Sequence, residues 1–113
     1  MSFYKKLIKK MSFLCDRNYD YTMFMSENVW TKNRLSITII FERKNKNKEL
    51  EFHVYDGKTD HTFSIEQLNK IIFKNDLIID FYYNCSIDSK LDIIVFLIKK
   101  YITDIEKLWF FVI

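Results

Sequence analysis

Leu50-Glu51-Phe52-His53-Val54-Tyr55-Asp56-Gly57-Lys58-Thr59-Asp60-His61-Thr62-Phe63 is the stretch that decides the fold. Leu50, Phe52 and Val54 alternate with Glu49, Glu51, His53 and Tyr55, the period-two pattern of a strand with one buried face. Asp56-Gly57 follows at once, and that pair favours a type I′ turn, in which both central residues need positive φ. Pairing Tyr55 with Lys58 then sets His53 opposite Asp60 and Phe52 opposite His61. Upstream, Leu35, Ile37, Ile39 and Phe41 alternate with Arg34, Ser36, Thr38 and Glu42, across a polar loop Arg43-Lys44-Asn45-Lys46-Asn47-Lys48. The pattern predicts an antiparallel meander of three strands, or four if Met23 to Trp30 joins it.

Helical periodicity flanks the meander. Phe3, Tyr4, Leu7, Ile8, Met11, Leu14 and Cys15 recur at three- and four-residue spacing, which predicts one helix over residues 2–16 with its lysines off the apolar stripe. Ser64-Ile65-Glu66-Gln67 reads as a capping box opening a short helix that stops near Lys74-Asn75. Leu77 to Tyr83 fits a helix or a buried strand equally well. Residues 86–89 supply caps for a long last helix whose stripe runs from Leu91 to Trp109. The expected fold is α+β: an N-terminal helix, a three- to four-stranded antiparallel meander and two or three C-terminal helices packed on one face. One domain over residues 1–113 is expected.

Composition narrows the chemistry. The 113 residues include 49% apolar and 18% aromatic side chains, too many for a disordered chain. Proline and alanine are absent and Gly57 is the single glycine, whereas Lys, Asn, Ile, Phe and Tyr abound. Residues with G+C-rich codons are the scarce ones, so the gene is read as A+T-rich, as in low-GC bacteria, phages and mobile islands. One glycine cannot build a phosphate-cradling loop. Turns must instead use Asn, Asp and Ser, and Asn18, Asn28, Asn45, Asn47, Asn75 and Asn84 fall at expected breaks. Cys15, on the apolar side of the first helix, and Cys85 are read as reduced structural thiols. The N-terminus is basic but interrupted by lysines, unlike a signal peptide. No apolar run approaches the roughly 20 residues that span a bilayer. A soluble cytoplasmic protein without a membrane partner is expected.

Both histidines lie on the Asp56-Gly57 hairpin. A histidine oriented by a carboxylate serves in general-base catalysis and metal binding, so His53 with Asp60 is the one candidate for a metal-dependent hydrolase. Strand alternation sends His61 to the other face with Phe52, so His53, Asp56, Asp60 and His61 do not converge. No nucleophile or third ligand stands at a recognisable spacing. The expectation is a chain that is not an enzyme, with no catalytic residue, no metal ligand, no cofactor and no small-molecule substrate.

Function is then read by class. The outer meander face, with Glu49, Glu51, His53, Tyr55, Lys58 and Asp60, is mixed in charge on a rigid support and suits protein recognition. Met23-Phe24-Met25 is read mainly as packed core, with an adaptable contact surface as its other reading. A tiny A+T-rich-gene product without a catalytic constellation fits an immunity protein or antitoxin that binds a cognate bacterial toxin. The rival reading is a phage or viral regulator holding nucleic acid through Lys5 to Lys10 and Lys44, Lys46 and Lys48. The tail Leu108-Trp109-Phe110-Phe111-Val112-Ile113 has no polar side chain. It is expected to fold into the core or to join the last helix in a homodimer.

Overall fold

The computed structural model describes residues 3–40 and 49–112. Lys44, Lys46 and Lys48 therefore lie outside the described residues. The elements are α1 (Phe3–Lys10), α2 (Phe13–Asp16), β1 (Asp20–Phe24), β2 (Glu27–Lys32), β3 (Leu35–Ile39), β4 (Leu50–Tyr55), β5 (Asp60–Ser64), α3 (Ile65–Leu68), α4 (Asp76–Asn84) and α5 (Ile87–Ile105). A π-helical turn, Asn69–Phe73, continues α3, and a short 3-10 turn, Leu108–Phe111, ends the chain. The sheet has five strands in sequential order, each antiparallel to the next, so the fold is α+β with one strand more than the longer expectation. The extra strand comes from residues 20–32, where β1 and β2 form a complete hairpin.

One sheet face is the core. Trp30, Ile37, Ile39, Leu50 and Phe52 are buried there together with Leu7, Leu14, Leu68, Ile94 and Ile98 from the helices. The other face carries Val29, Thr31, Ser36, Glu51, His53 and Thr62 and is half-buried or exposed, except for Thr38 at its centre. Alternation of β-branched and aromatic residues with hydroxyl and charged ones produces this split. The capping box forms as expected: Gln67 N–H donates to Ser64 Oγ and Ser64 N–H donates to Gln67 Oε1. Residues 76–84 resolve as helix, and the side chain of Asn75 accepts from Ile78 N–H to start it.

Four expectations need correction. The N-terminal helix breaks at Met11-Ser12, where the Ser12 hydroxyl donates to the Lys9 carbonyl and competes with the helical ladder. Cys15 is consequently exposed. Asn28 is fully buried inside β2, where its Oδ1 accepts from the Tyr21 hydroxyl at 2.6 Å. Finally, the β4–β5 register is shifted by two residues: Tyr55 pairs with Asp60 and Phe52 with Phe63. Asp56 Oδ1 accepts from the N–H groups of both Lys58 and Thr59, so Asp56 initiates the turn and Gly57-Lys58 occupy its centre. Gly57 alone has positive φ, +101°, the type II′ requirement.

The sheet is fastened to the helices by a buried ion pair. Glu49 and Lys90 are only 5% and 6% exposed, and the Lys90 ammonium lies 3.0 and 3.1 Å from the two carboxylate oxygens. The Tyr82 hydroxyl donates to the same carboxylate at 2.8 Å, and burial beside this anion pushes the phenol well above its ordinary range. Breaking such a pair strands a desolvated charge, which costs about 3–5 kcal/mol. Lys90→Met alone should therefore lower the stability measured by urea unfolding by about 3–5 kcal/mol. The triple variant Glu49→Leu, Lys90→Met, Tyr82→Phe leaves no orphaned polar group. It should return to within about 2 kcal/mol of the parent.

Candidate functional site

Glu51, His53, Tyr55 and Asp60 share the open sheet face, because β4 alternates and Tyr55 pairs with Asp60. Lys58 sits exposed in the turn beside them. Glu49 does not belong to this face. It occupies a bend before β4, and its side chain is taken into the core by Lys90 and Tyr82. The open face thus loses one of the two carboxylates that its sequence offered.

The histidines remain apart, since a two-residue slip keeps every side chain on its original face. His53 Nδ1 lies 3.1 Å from the Thr62 hydroxyl and 3.3 Å from Asp60 Oδ2. His61, paired with Val54, places Nε2 2.7 Å from Asp56 Oδ2. Among the described residues, no group of three or more His, Cys, Asp and Glu side chains is placed to hold a metal ion. His53 and Asp60 stand as a pair on the open face, with the Thr62 hydroxyl beside the ring.

The N-terminal lysines are largely engaged. Lys6 pairs with Asp88 at 3.9 Å and Lys10 pairs with Asp92, both across to α5. Lys9 and Lys10 fall in the last turn of α1, where the helix dipole favours cations. The nucleic-acid reading has two of its cations paired in this way. No helix among the described residues is long and apolar enough to cross a membrane.

Two features stand apart from the main sequence expectations. The first is the apolar tip of the β1–β2 hairpin, where Met23, Phe24 and Met25 are 58%, 62% and 82% exposed. Expected in the core, they project: strand alternation puts Phe24 on the open sheet face with Val29, and Met23 and Met25 stand at the hairpin tip, while its root stays anchored by the Tyr21–Trp30 ring contact at 5.0 Å. Met25 and Ser26, the two turn residues, both have positive φ, 47° and 71°. Non-glycine residues rarely adopt this conformation, and each costs about 1 kcal/mol. β1 is also a sheet edge, and its five residues Asp-Tyr-Thr-Met-Phe include neither lysine nor proline.

The second is a cleft of about 500 Å³ at the opposite end of the sheet, between the β2–β3 turn, the end of β4 and the chain after α5. Glu106 stands at its side. Its carboxylate accepts from Arg17 at 2.5 Å, from the Tyr19 hydroxyl at 2.9 Å and from Lys32 at 3.2 Å. Burial alone would raise its pKa, but these three donors prevail and hold it below the ordinary value. The Tyr19 phenol is pushed up by burial and by its bond to that anion. Leu108 and Val112 turn inward beside the cleft, while Trp109, Phe110 and Phe111 stay largely exposed. The expectation of a tail folded into the core thus holds for part of it only. No protein-family model, curated protein or solved structure matches this chain, so functional argument rests on this geometry.

Asp56 and Glu106 make the protein acid-sensitive. Asp56 is held at about 2 by the Thr59 N–H, by His61 and by the Lys58 N–H, against an ordinary 3.8; Glu106 also lies below its ordinary 4.5. Both contribute stability that is fully present above those ordinary values and is lost as pH falls through the folded ones. The melting temperature should decline from about pH 4.5 down to about pH 2. A Glu106→Gln, Asp56→Asn variant, followed by circular dichroism, should start lower and show a shallower decline.

Proposed function

We propose that the chain acts by binding another protein, as an immunity protein or antitoxin that neutralises a bacterial toxin domain, with the β1–β2 hairpin as its contact element. The observation that carries this reading is the exposure of Met23, Phe24 and Met25 on a hairpin whose outer strand is a sheet edge. Natural edge strands are normally blunted by lysine, proline, bulges or a covering element. β1 is unguarded by lysine or proline, so its free N–H and C=O groups suit a strand added by a partner. Flexible methionines beside a phenylalanine supply the apolar contact area that flanks such a pairing. Backbone strain at Met25-Ser26 points the same way, because strained positions persist where function retains them. The open face with Glu51, His53, Tyr55 and Asp60 gives a second, polar contact surface on the same sheet.

The test is co-expression with the product of the adjacent gene. The parent chain should rescue growth from a toxic neighbour and form a complex that persists at high salt, as apolar contact predicts. Phe24→Asp with Met25→Asp should abolish rescue and lower affinity at least about 100-fold, while circular dichroism shows an intact fold. Met25→Asn with Ser26→Gly should raise the stability of the free protein by about 1–2 kcal/mol through relief of the turn. A harmless neighbour, or rescue indifferent to the hairpin tip, would sink the reading.

A further inference from the structure

We infer that the cleft at the end of α5 is a binding site for a small apolar carboxylate, an acyl chain or ring bearing one anionic group. The cleft lies at the β2–β3 end of the sheet, away from the β1–β2 tip, so the inference stands apart from the protein-binding reading. Its volume, about 500 Å³, falls within the roughly 300–1,000 Å³ usual for small-molecule pockets. Its accessible apolar floor comes from Val112 and Trp109, laid over the buried core residues Leu35, Val54, Ile105 and Leu108. Trp109, close to half exposed, flanks the floor as an aromatic wall open to solvent. A ligand that fits this floor is apolar for most of its length.

The charge at the rim sets the other end of the ligand. Glu106 is saturated by Arg17, Tyr19 and Lys32. Asp56 is saturated by Lys58 N–H, Thr59 N–H and His61. Lys32 already leans on Glu106 and over the Tyr19 ring. Arg34 differs from all of these. It lines the cleft from the β2–β3 turn, with its Nη1 3.6 Å from where a Cβ on Gly57 would stand. Its guanidinium makes no hydrogen bond or ion pair among the described residues. A planar fork of unpaired donors above an apolar floor matches a carboxylate in bidentate geometry. One free fork fits one single negative charge, because the other cations at the rim are already committed.

Why Arg34 sits here is local. The Asn33-Arg34 pair makes the two-residue turn between Lys32 and Leu35, with Asn33 at φ +56°. The Arg34 carbonyl accepts from the Tyr55 N–H, which ties the turn to the end of β4. Gly57 then leaves room beside the guanidinium on the neighbouring turn. The position is thus set by two hairpin turns meeting at one end of the sheet.

Decanoate and decanol test this directly, at neutral pH and below micelle formation, by calorimetry and by the fluorescence of Trp109; the second tryptophan, Trp30, is buried. The full-length protein should bind decanoate at one saturable site, with decanol roughly tenfold weaker. Arg34→Gln should weaken decanoate by about that factor, leave decanol unchanged and leave the melting temperature near the parent value. Trp109→Phe should remove the fluorescence response but not the heat. Absence of saturable binding overturns the inference. So does equal affinity for decanoate and decanol, or a preference for decanoate that survives Arg34→Gln. The Phe24→Asp, Met25→Asp variant should bind decanoate as the parent does, which keeps failure of the cleft distinct from failure of the hairpin.

Discussion

The buried pair of Glu49 and Lys90 sets the frame on which everything else is placed. It joins the start of β4 to the first turn of α5, with Tyr82 of α4 completing the carboxylate's shell. At the far end of α5, Glu106 repeats the device in a half-buried setting, drawing Arg17, Tyr19 and Lys32 together. α5 from Lys90 to Ile105 is about 22 Å long at 1.5 Å per residue. β4 from Leu50 to Tyr55 covers about 17 Å at 3.4 Å per residue. The helix is held by a polar clamp at each end, one on Glu49 before β4 and one on Lys32 of β2 with Arg17 and Tyr19, and Ile94, Leu97, Ile98 and Ile102 are buried between. Apolar burial is non-directional and would tolerate sliding of the helix along the sheet. Two charge clamps do not, and they fix where the cleft opens.

Much of this was legible from periodicity. The alternation in β3 and β4, the capping box at Ser64 and the stripe of α5 each depend on neighbours within a few positions, which a linear reading captures. The turn at Gly57 shows how far such a reading is robust. Its register is off by two residues, because Asp56 uses its side chain to open the turn. Even so, a two-residue slip preserves faces, so the separation of His53 from His61 stands. A slip of one residue would have inverted it.

What was illegible depends on distance in sequence. Glu49 reads as one more outward residue of β4, and only the arrival of Lys90, 41 positions later, shows that it is drawn inward. Glu106 meets Tyr19 and Arg17 across 87 and 89 positions, a juxtaposition no local motif announces. Met23-Phe24-Met25 misleads for a different reason. Composition marks these residues as core, yet burial depends on face and cover: Phe24 falls on the open face by alternation, and Met23 and Met25 stay exposed at the tip.

Scarcity of glycine sharpens the point about the hairpin. Asn18, Asn33 and Lys74 also take positive φ, as do Met25 and Ser26. Asparagine tolerates this conformation through its short polar side chain, and Lys74 ends the π-helical turn, where a left-handed residue is a normal stop. Met25-Ser26 has neither excuse: two consecutive strained residues, one of them a large apolar side chain, stand at the most exposed point of β1–β2. An Asn-Gly turn there would relieve the backbone, and asparagine is abundant in the chain. The strained turn, the uncovered edge and the apolar side chains coincide within five residues. Each is unfavourable for an isolated protein, and contact with a partner relieves the edge and the apolar exposure together.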